Sequence, residues 1–416
     1  MLDYNLKERV DSNIISNASG YNNEHRFRWY PYKEGFSKSL VQEAINSIKL
    51  DENDYILDPF NGNGTVTLTS SLNNISSLGI ESNPFSAFLA KTKSVNLSTK
   101  ELDKDFNKLL KSIKNGKKSK LLEYSTFSEY SGKKKWLFNS EVLNAFEGGW
   151  QYTDRIYDIN KKKLLQLSLI SSAIDNCNAV KDGKCLKYKQ ERINKNFSAE
   201  SFLNSFEGKI NLIREDLQES IISTKPSIIN GDSRIILDSI PHYKLCITSP
   251  PYLNSFDYTD IYRPELFLGK FIKSSEELKN LRYNTIRSHK LIYSNQIPDN
   301  ILLGQLFEAV INSLPVIKKG WNKTIPHMIK GYFEDMSIIL SKLFATAKKG
   351  GELWIVIANS VYLNTEIPVD LILAEIGSLH GWKLKKIEVL RYIYRRKTKY
   401  SGDHTKLRES LIVFEK

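Results

Sequence analysis

Two acids and two glycines stand at spacings that suit a nucleoside ligand. In DPFNGNGT, residues 58 to 65, an apolar run ends in Asp58, and Gly62 and Gly64 separate it from the helix-forming stretch VTLTSSLNN. Glycines between a strand and a helix let backbone come close to a ligand, and the helix N-terminus favours negative charge there. A Walker phosphate loop needs Gly-Lys-Ser/Thr, whereas here Gly64 is followed by Thr65 and Val66; the dinucleotide pattern GxGxxG fails at Thr67. The second acid, Glu81, ends the next apolar run, 17 residues beyond Gly64. A carboxylate at that second strand tip commonly holds two ribose hydroxyls, so the pair suits a nucleoside cofactor without a pyrophosphate.

A different chemistry sits at TSPPY. The apolar run KLCI leads into Ser249, Pro250, Pro251 and Tyr252. The prolines fix φ and remove two backbone donors, which leaves the carbonyl oxygens of Ser249 and Pro250 free to accept. Acceptors are what an exocyclic amine needs: a serine hydroxyl and a carbonyl draw the nitrogen lone pair out of conjugation and toward a methyl donor. Tyr252 offers a flat face on which a base can stack.

These residues need a scaffold that brings strand ends together. DYILDPFNGNGT, SSLGIESNPFSAFLAKTKS, SIINGDSRIIL, KLCITSPPY, GGELWIVIANS and RESLIVFEK read as strands, with helical stretches such as FEDMSIILSKLFATAKKGG between them. That alternation predicts a doubly wound α/β sheet with right-handed crossovers, in which ligands bind at the carboxyl edge. Residues 99 to 226 break the alternation and carry helical spacing without strands, which predicts a mainly helical insertion. A second irregular stretch, 259 to 325, is rich in Tyr, Asn, Arg and Lys.

Composition bounds the class. At 416 residues with 41% hydrophobic content, the chain can bury a large core. Cys177, Cys185 and Cys246 form no CxxC pair and no zinc spacing, so a reduced cytoplasmic setting is expected, without disulfide framework or metal. The six histidines are scattered and none is assigned a catalytic role. No leader is read at MLDYNLKERV, and no apolar run nears the ~18 residues of a membrane span. The net charge of +13 is concentrated: residues 101 to 200 hold 20 Lys and Arg against 13 Asp and Glu, and residues 381 to 416 hold 11 against 4. Excess confined to two segments suits a polyanion-binding surface.

In combination these motifs resemble the amino-group DNA methyltransferases that use S-adenosylmethionine, in the cytosine-N4 form marked by TSPPY. DPFNGNGT matches that family's cofactor loop, GIESNP its ribose-binding tip, and NGDSR its third-strand acid. RWYPYKEGFSKSLVQEAI looks like the segment that cups the methionine end, and the chain from ANSVYLNTEIP to RESLIVFEK resembles the later strands and helices. The resemblance implies a Rossmann-like class I methyltransferase sheet of seven strands, the last antiparallel, with a mainly helical insertion. It also implies that residues 1–98 and 227–416 form the catalytic domain, with 99–226 inserted as a candidate target-recognition domain and 259–325 as a second insertion near the active site. Asp58, Phe60, Gly62, Gly64, Thr65 and Glu81 would hold the cofactor, Asp232 would approach its adenine, and Ser249, Pro250, Pro251 and Tyr252 would hold the target base.

The implied activity is methylation of the N4 amine of cytosine in double-stranded DNA, with the base flipped out of the duplex, in a restriction-modification or defence system with a cognate endonuclease as possible partner. The same fold and corner serve adenine N6 in relatives, where Asp rather than Ser usually opens the tetrapeptide. RNA base methylation and a catalytically inactive DNA-binding subunit are further alternatives; the intact Asp58, Gly62, Gly64, Glu81 and SPPY oppose the latter. Candidate DNA contacts are Lys161, Lys162 and Lys163, then Lys184, Lys187 and Lys189 in NAVKDGKCLKYKQER, and Arg282, Arg287 and Lys290 beside the active-site edge.

Overall fold

The computed structural model describes residues 6–9, 23–35, 37–183, 185–289, 301–315, 324–394 and 406–416. Its strands in chain order are β1 (Leu6–Glu8), β2 (Tyr55–Asp58), β3 (Ser76–Glu81), β4 (Ala179–Asp182), β5 (Cys185–Tyr188), β6 (Ser227–Asn230), β7 (Tyr243–Thr248), β8 (Ala347–Ala358), β9 (Ser360–Tyr362), β10 (Thr365–Ile367), β11 (Lys383–Tyr394) and β12 (Lys406–Glu415). Eight form one sheet in the order β1-β11-β12-β8-β7-β2-β3-β6, and two short ribbons stand apart from it. β12 runs antiparallel to both neighbours, β8 and β11, while the pairs among β6, β3, β2, β7 and β8 are parallel. The seven expected strands are thus present with the last reversed, and β1 adds an eighth at the edge, parallel to β11. Its three exposed residues carry no apolar signal. The following Arg9 ties it down by pairing with Glu43 and Glu388 at 2.7 and 3.2 Å.

Strands buried on both faces read as continuous apolar runs, and β8 is such a strand. Its Leu353, Ile355 and Ile357 join a core with Leu57, Cys246 and the helices Ile325–Thr346 and Val369–Leu379. On the opposite face Trp354 and Val356 pack with Ile56, Leu245, Ile247 and the helix Lys38–Ser47. The period of two along each strand therefore divides one run between two helical layers. NGDSRIIL departs from its reading as strand: β6 stops at Asn230, and Asp232 caps the short helix Ser233–Ile236 by accepting from the Arg234 N–H.

Residues 99–226 contribute the helices Phe106–Asn115, Ser140–Thr153, Ile159–Asp175 and Ala199–Glu219. The stretch expected to lack strands also holds the β4–β5 ribbon, turned at Gly183 with φ +60°. Close helix packing is set by Gly148, where a Cβ would fall 2.3 Å from the Ser112 carbonyl oxygen. The apolar core of these helices does not stop at 99 or 226. It runs on into Phe85 and Leu89, into Trp29, Tyr30 and Tyr32, and into Ile261 to Leu278. Among the described residues no helix is long and apolar enough to cross a membrane.

Asp216, fully buried in the helix Ala199–Glu219, ties the N-terminal segment to this body. It accepts from the Arg26 N–H at 2.6 Å, the Trp29 Nε1–H at 2.7 Å and Arg28 at 2.6 Å. Removing one partner of a buried ionic cluster leaves the others desolvated and unpaired. Asp216→Ala is therefore expected to lower the unfolding free energy by roughly 3 to 5 kcal/mol in denaturant titrations; a loss under about 1 kcal/mol would show that the donors find other partners.

Candidate active site

β2 ends at Asp58, whose carboxylate accepts from the Thr248 hydroxyl at 2.7 Å and the Phe60 N–H at 3.0 Å. The first bond links the tip of β2 to that of β7, immediately before Ser249. The loop then bends back to β3. The Asn61 N–H donates to the Ile80 carbonyl at 2.9 Å, and Gly62, at φ +49°, turns its N–H to Glu81 at 2.7 Å. The other Glu81 oxygen accepts from the Asn83 N–H at 2.7 Å. These backbone donors orient a carboxylate that lines the cavity, and carboxylate oxygens are the acceptors that ribose hydroxyls require. Burial pushes Asp58 and Glu81 up to about 7 each, against the downward pull of these donors.

One cavity joins the candidate residues. Asp58, Phe60, Gly62, Thr65, Glu81, Asp232, Ser249 and Pro251 line it. Gly64 does not: with φ +86° it begins the helix Thr65–Leu72, and a Cβ there would lie 2.9 Å from the Ala90 Cβ, so it serves close packing. Asp232 lines the cavity while pairing with Arg234 at 2.6 Å. Pro250 and Tyr252 are not among the lining residues. The Tyr252 ring packs against the apolar core beneath the sheet edge, and its hydroxyl donates to Glu409 at 2.8 Å. The aromatic surface inside the cavity comes instead from Tyr32, Phe256 and Tyr258. Tyr252, half-buried, is thus held by its hydroxyl behind the cavity wall.

The rest of the wall comes from segments whose residues were not singled out by sequence. Tyr32 and Glu34 close one side. Tyr32 stacks on Tyr262 at 5.1 Å and 13°, and the Tyr262 hydroxyl donates to Glu34. The resemblance of RWYPYKEGF to a cofactor segment was the available signal. Asp257, Asn284, Thr285, Ile286 and Ser288 close the side near Ser249. Their loop is pinned by Arg282 on Asp257 at 2.8 Å and by Arg287 on Asp335 and Glu334 at 2.8 and 3.0 Å. No local pattern marks these positions.

The predicted DNA contacts are scattered. Arg287 is buried in the acidic pairing just described, and Lys161 is buried with its Nζ donating to the Lys104 carbonyl; neither has a face to offer a phosphate, which corrects both expectations. Arg282 is likewise turned inward to Asp257. Lys162 pairs with Asp154 at 3.2 Å, Lys187 with Asp182 at 2.9 Å, and Lys189 lies 3.9 Å from Glu191. Lys163 is partly buried, and desolvation lowers its pKa. Lys184 and Lys290 lie outside the described residues.

The charge of the cavity decides its ligand class. Glu34, Asp58, Glu81, Asp232 and Asp257 line it, and among its described lining residues there is no Lys, Arg or His. A pyrophosphate would meet only repulsion, whereas a sulfonium and an ammonium on a ribose-bearing ligand fit the acids. The oriented Glu81 carboxylate and the space beside Gly62, where a Cβ would lie 3.7 Å from the Tyr32 ring, agree with such a ligand. Sheet order, reversed last strand and acidic cavity together define an S-adenosylmethionine-dependent methyltransferase.

The chain is similar in sequence to proteins named Type II methyltransferases. It is 27% identical over 451 residues to Type II methyltransferase M.BsoBI of Geobacillus stearothermophilus, covering 95% of this chain and 86% of that one. It is 27% identical over 447 residues to Type II methyltransferase M.AvaI of a Nostoc strain and of Anabaena variabilis, covering 99% of this chain and 90% of each relative. No family model matches the chain. The solved structures of TrmN from Thermus thermophilus and of the rRNA methyltransferase aviRa from Streptomyces viridochromogenes align at TM-score 0.30 with 9% and 11% identity. TrmN covers 91% of this chain and 48% of its own, and aviRa 93% and 86%. Likeness at that level carries no conclusion.

With Asp58 and Glu81 at about 7, both bind protons in the free folded protein at pH values where the unfolded chain has lost them. The contribution of these two groups to stability therefore falls as pH rises from about 4 to about 7, and levels off above. A ligand that requires the charged carboxylates binds better over the upper part of that window. Affinity for S-adenosylmethionine, measured calorimetrically, is expected to rise from about pH 6 to about pH 8, and Glu81→Gln is expected to weaken binding and flatten the rise. A flat wild-type profile would remove Glu81 from the ribose site.

Proposed function

We propose that the protein is a site-specific DNA methyltransferase that places a methyl group on the N4 amine of cytosine, acting on a base flipped from double-stranded DNA. The observation that carries this reading is the single cavity in which the acidic cofactor wall meets Ser249 at the carboxyl edge of the sheet. S-adenosylmethionine supplies the electrophilic methyl when bound. Glu81 would hold the ribose hydroxyls, Asp232 the adenine amine, and Tyr32 with Glu34 the methionine end. Ser249 would accept from the target amine and hold its lone pair toward the methyl group that the bound cofactor would supply, with the proton of the methylated amine passing to water. No strong base is needed, so catalysis rests on orientation and on acceptors already in place. The segment 284–288 would exclude water from the amine.

The relatives named Type II methyltransferases support a DNA substrate and a setting beside a cognate restriction endonuclease. Residues 99–226 remain our candidate for reading the target, with Lys187 on the β4–β5 ribbon and Lys189 just after it as phosphate contacts. Two experiments test these points. DNA incubated with labelled cofactor and digested to nucleosides is expected to carry label in N4-methylcytosine. Label in N6-methyladenine would change the target base, and label confined to RNA would overturn the reading. Neutralising Lys187 and Lys189 together is expected to reduce the salt dependence of DNA binding by up to about 0.9 in slope for each phosphate no longer neutralised, with cofactor affinity unchanged; an unaltered slope would place the DNA surface elsewhere.

A further inference from the structure

One buried carboxylate outside the cavity points at the catalytic corner. Glu409 opens the inner part of β12 and is 1% exposed. β12 alone runs against β8, so its early residues lie where the parallel strands end; Glu409 pairs in register with Ala358, the last residue of β8. Arg391, across the β11–β12 ladder, donates to Glu409 from Nε at 2.6 Å and from Nη2 at 3.2 Å. On its other side Glu409 accepts from the Tyr252 hydroxyl at 2.8 Å, and the Ser249 hydroxyl lies 3.5 Å from the Tyr252 oxygen.

The polarity of this row follows from its end. Arginine only donates and a carboxylate only accepts, so a hydroxyl on Glu409 must give its proton to it. Burial and the Glu409 charge hold the Tyr252 phenol well above its ordinary pKa, and it stays a donor. With its hydrogen committed, the Tyr252 oxygen can only accept from Ser249. Ser249 then points its own hydrogen away from the cavity and its lone pairs into it. That orientation is the one an amine donor requires.

We infer that Glu409, locked by Arg391, is a positioning residue that acts through Tyr252 to hold the Ser249 hydroxyl as an acceptor for the target amine. The inference deepens the proposed function and rests on its assignment of Ser249. Apolar residues would fill the space behind the tetrapeptide at lower desolvation cost. A directed row of hydrogen bonds ending at the reacting corner gives the buried charge a function.

Glu409→Gln tests the direction of the row. Arg391 can only donate, so the amide must turn its oxygen to Arg391 and its NH2 to Tyr252, which reverses the polarity. Turnover of DNA is expected to fall on the order of tenfold to a hundredfold, with KM for DNA and calorimetric affinity for S-adenosylmethionine within about threefold of wild type. Tyr252→Phe removes the middle hydroxyl without touching the ion pair; its kcat is expected to fall by a similar factor, and the double variant by no more than the worse single one. Retained kcat in Tyr252→Phe, or multiplicative losses in the double variant, would overturn the inference even if Glu409→Gln failed to fold. Ser249→Ala, assayed alongside, separates the two readings. Wild-type turnover in Ser249→Ala defeats the assignment of Ser249 itself, whereas loss there with full activity in the other variants defeats only the role of Glu409.

Discussion

The site depends on one backbone constraint, the parallel pairing of β2 between β3 and β7. Leu57 lies in register with both Leu78 and Cys246, and Asp58 with Gly79. Parallel neighbours end on the same edge, so Asp58, Glu81 and Ser249 meet there despite long separations in the chain. The Thr248 hydroxyl on Asp58 then locks the cofactor loop to the catalytic corner across the sheet edge. A shift of pairing by one residue would turn Ile56 and Leu57 to the wrong layers and separate these tips.

That edge gathers carboxylates with no cation among the described lining residues, although Arg234 and Arg282 pair with Asp232 and Asp257 from behind the wall. Buried acids are costly as charges, and here the cost is offset partly by backbone N–H donors on Asp58 and Glu81. The remaining cost is available to a ligand: a cation entering the cavity supplies the missing partner and gains affinity from charges that are already oriented. A phosphate-bearing cofactor gains nothing from the same arrangement, although the loop and helix resemble those that bind phosphates.

The cofactor wall is also the place where the insertion meets the sheet domain. Lys181 on the β4–β5 ribbon reaches Glu265 at 2.7 Å and stands 3.5 Å over the Tyr262 ring. Tyr262 in turn stacks on Tyr32, which lines the cavity. With Asp216 holding the segment just before Tyr32, the insertion and the N-terminal segment brace one wall of the pocket. The core of the insertion also takes in Phe85 and Leu89, on the helix Pro84–Lys93 that follows β3, so the wall and the insertion pack as one apolar body.

What the sequence determined by itself was the main-sheet elements with a strong local signal, while the β4–β5 ribbon and the end of β6 at Asn230 escaped it. Strand, glycine loop and helix follow one another within a few residues at Asp58, so cofactor class and sheet type were legible, and the Pro-Pro corner could be located without a distant partner. Tertiary structure decided which side chains face the cavity. Tyr32, Asp257 and Ser288 reach it from segments far apart in the chain, and β1 joins the sheet through a short exposed strand with no hydrophobic pattern. Charge counting could not tell Lys187 on a partly exposed ribbon from Arg287, which is buried against Asp335 and Glu334. Tyr252 shows the same limit: its place in the tetrapeptide was evident, but the partner of its hydroxyl, Glu409, lies 157 residues away. Local patterning sets what a segment can form, whereas the direction a side chain faces is set by partners that only the folded chain brings near.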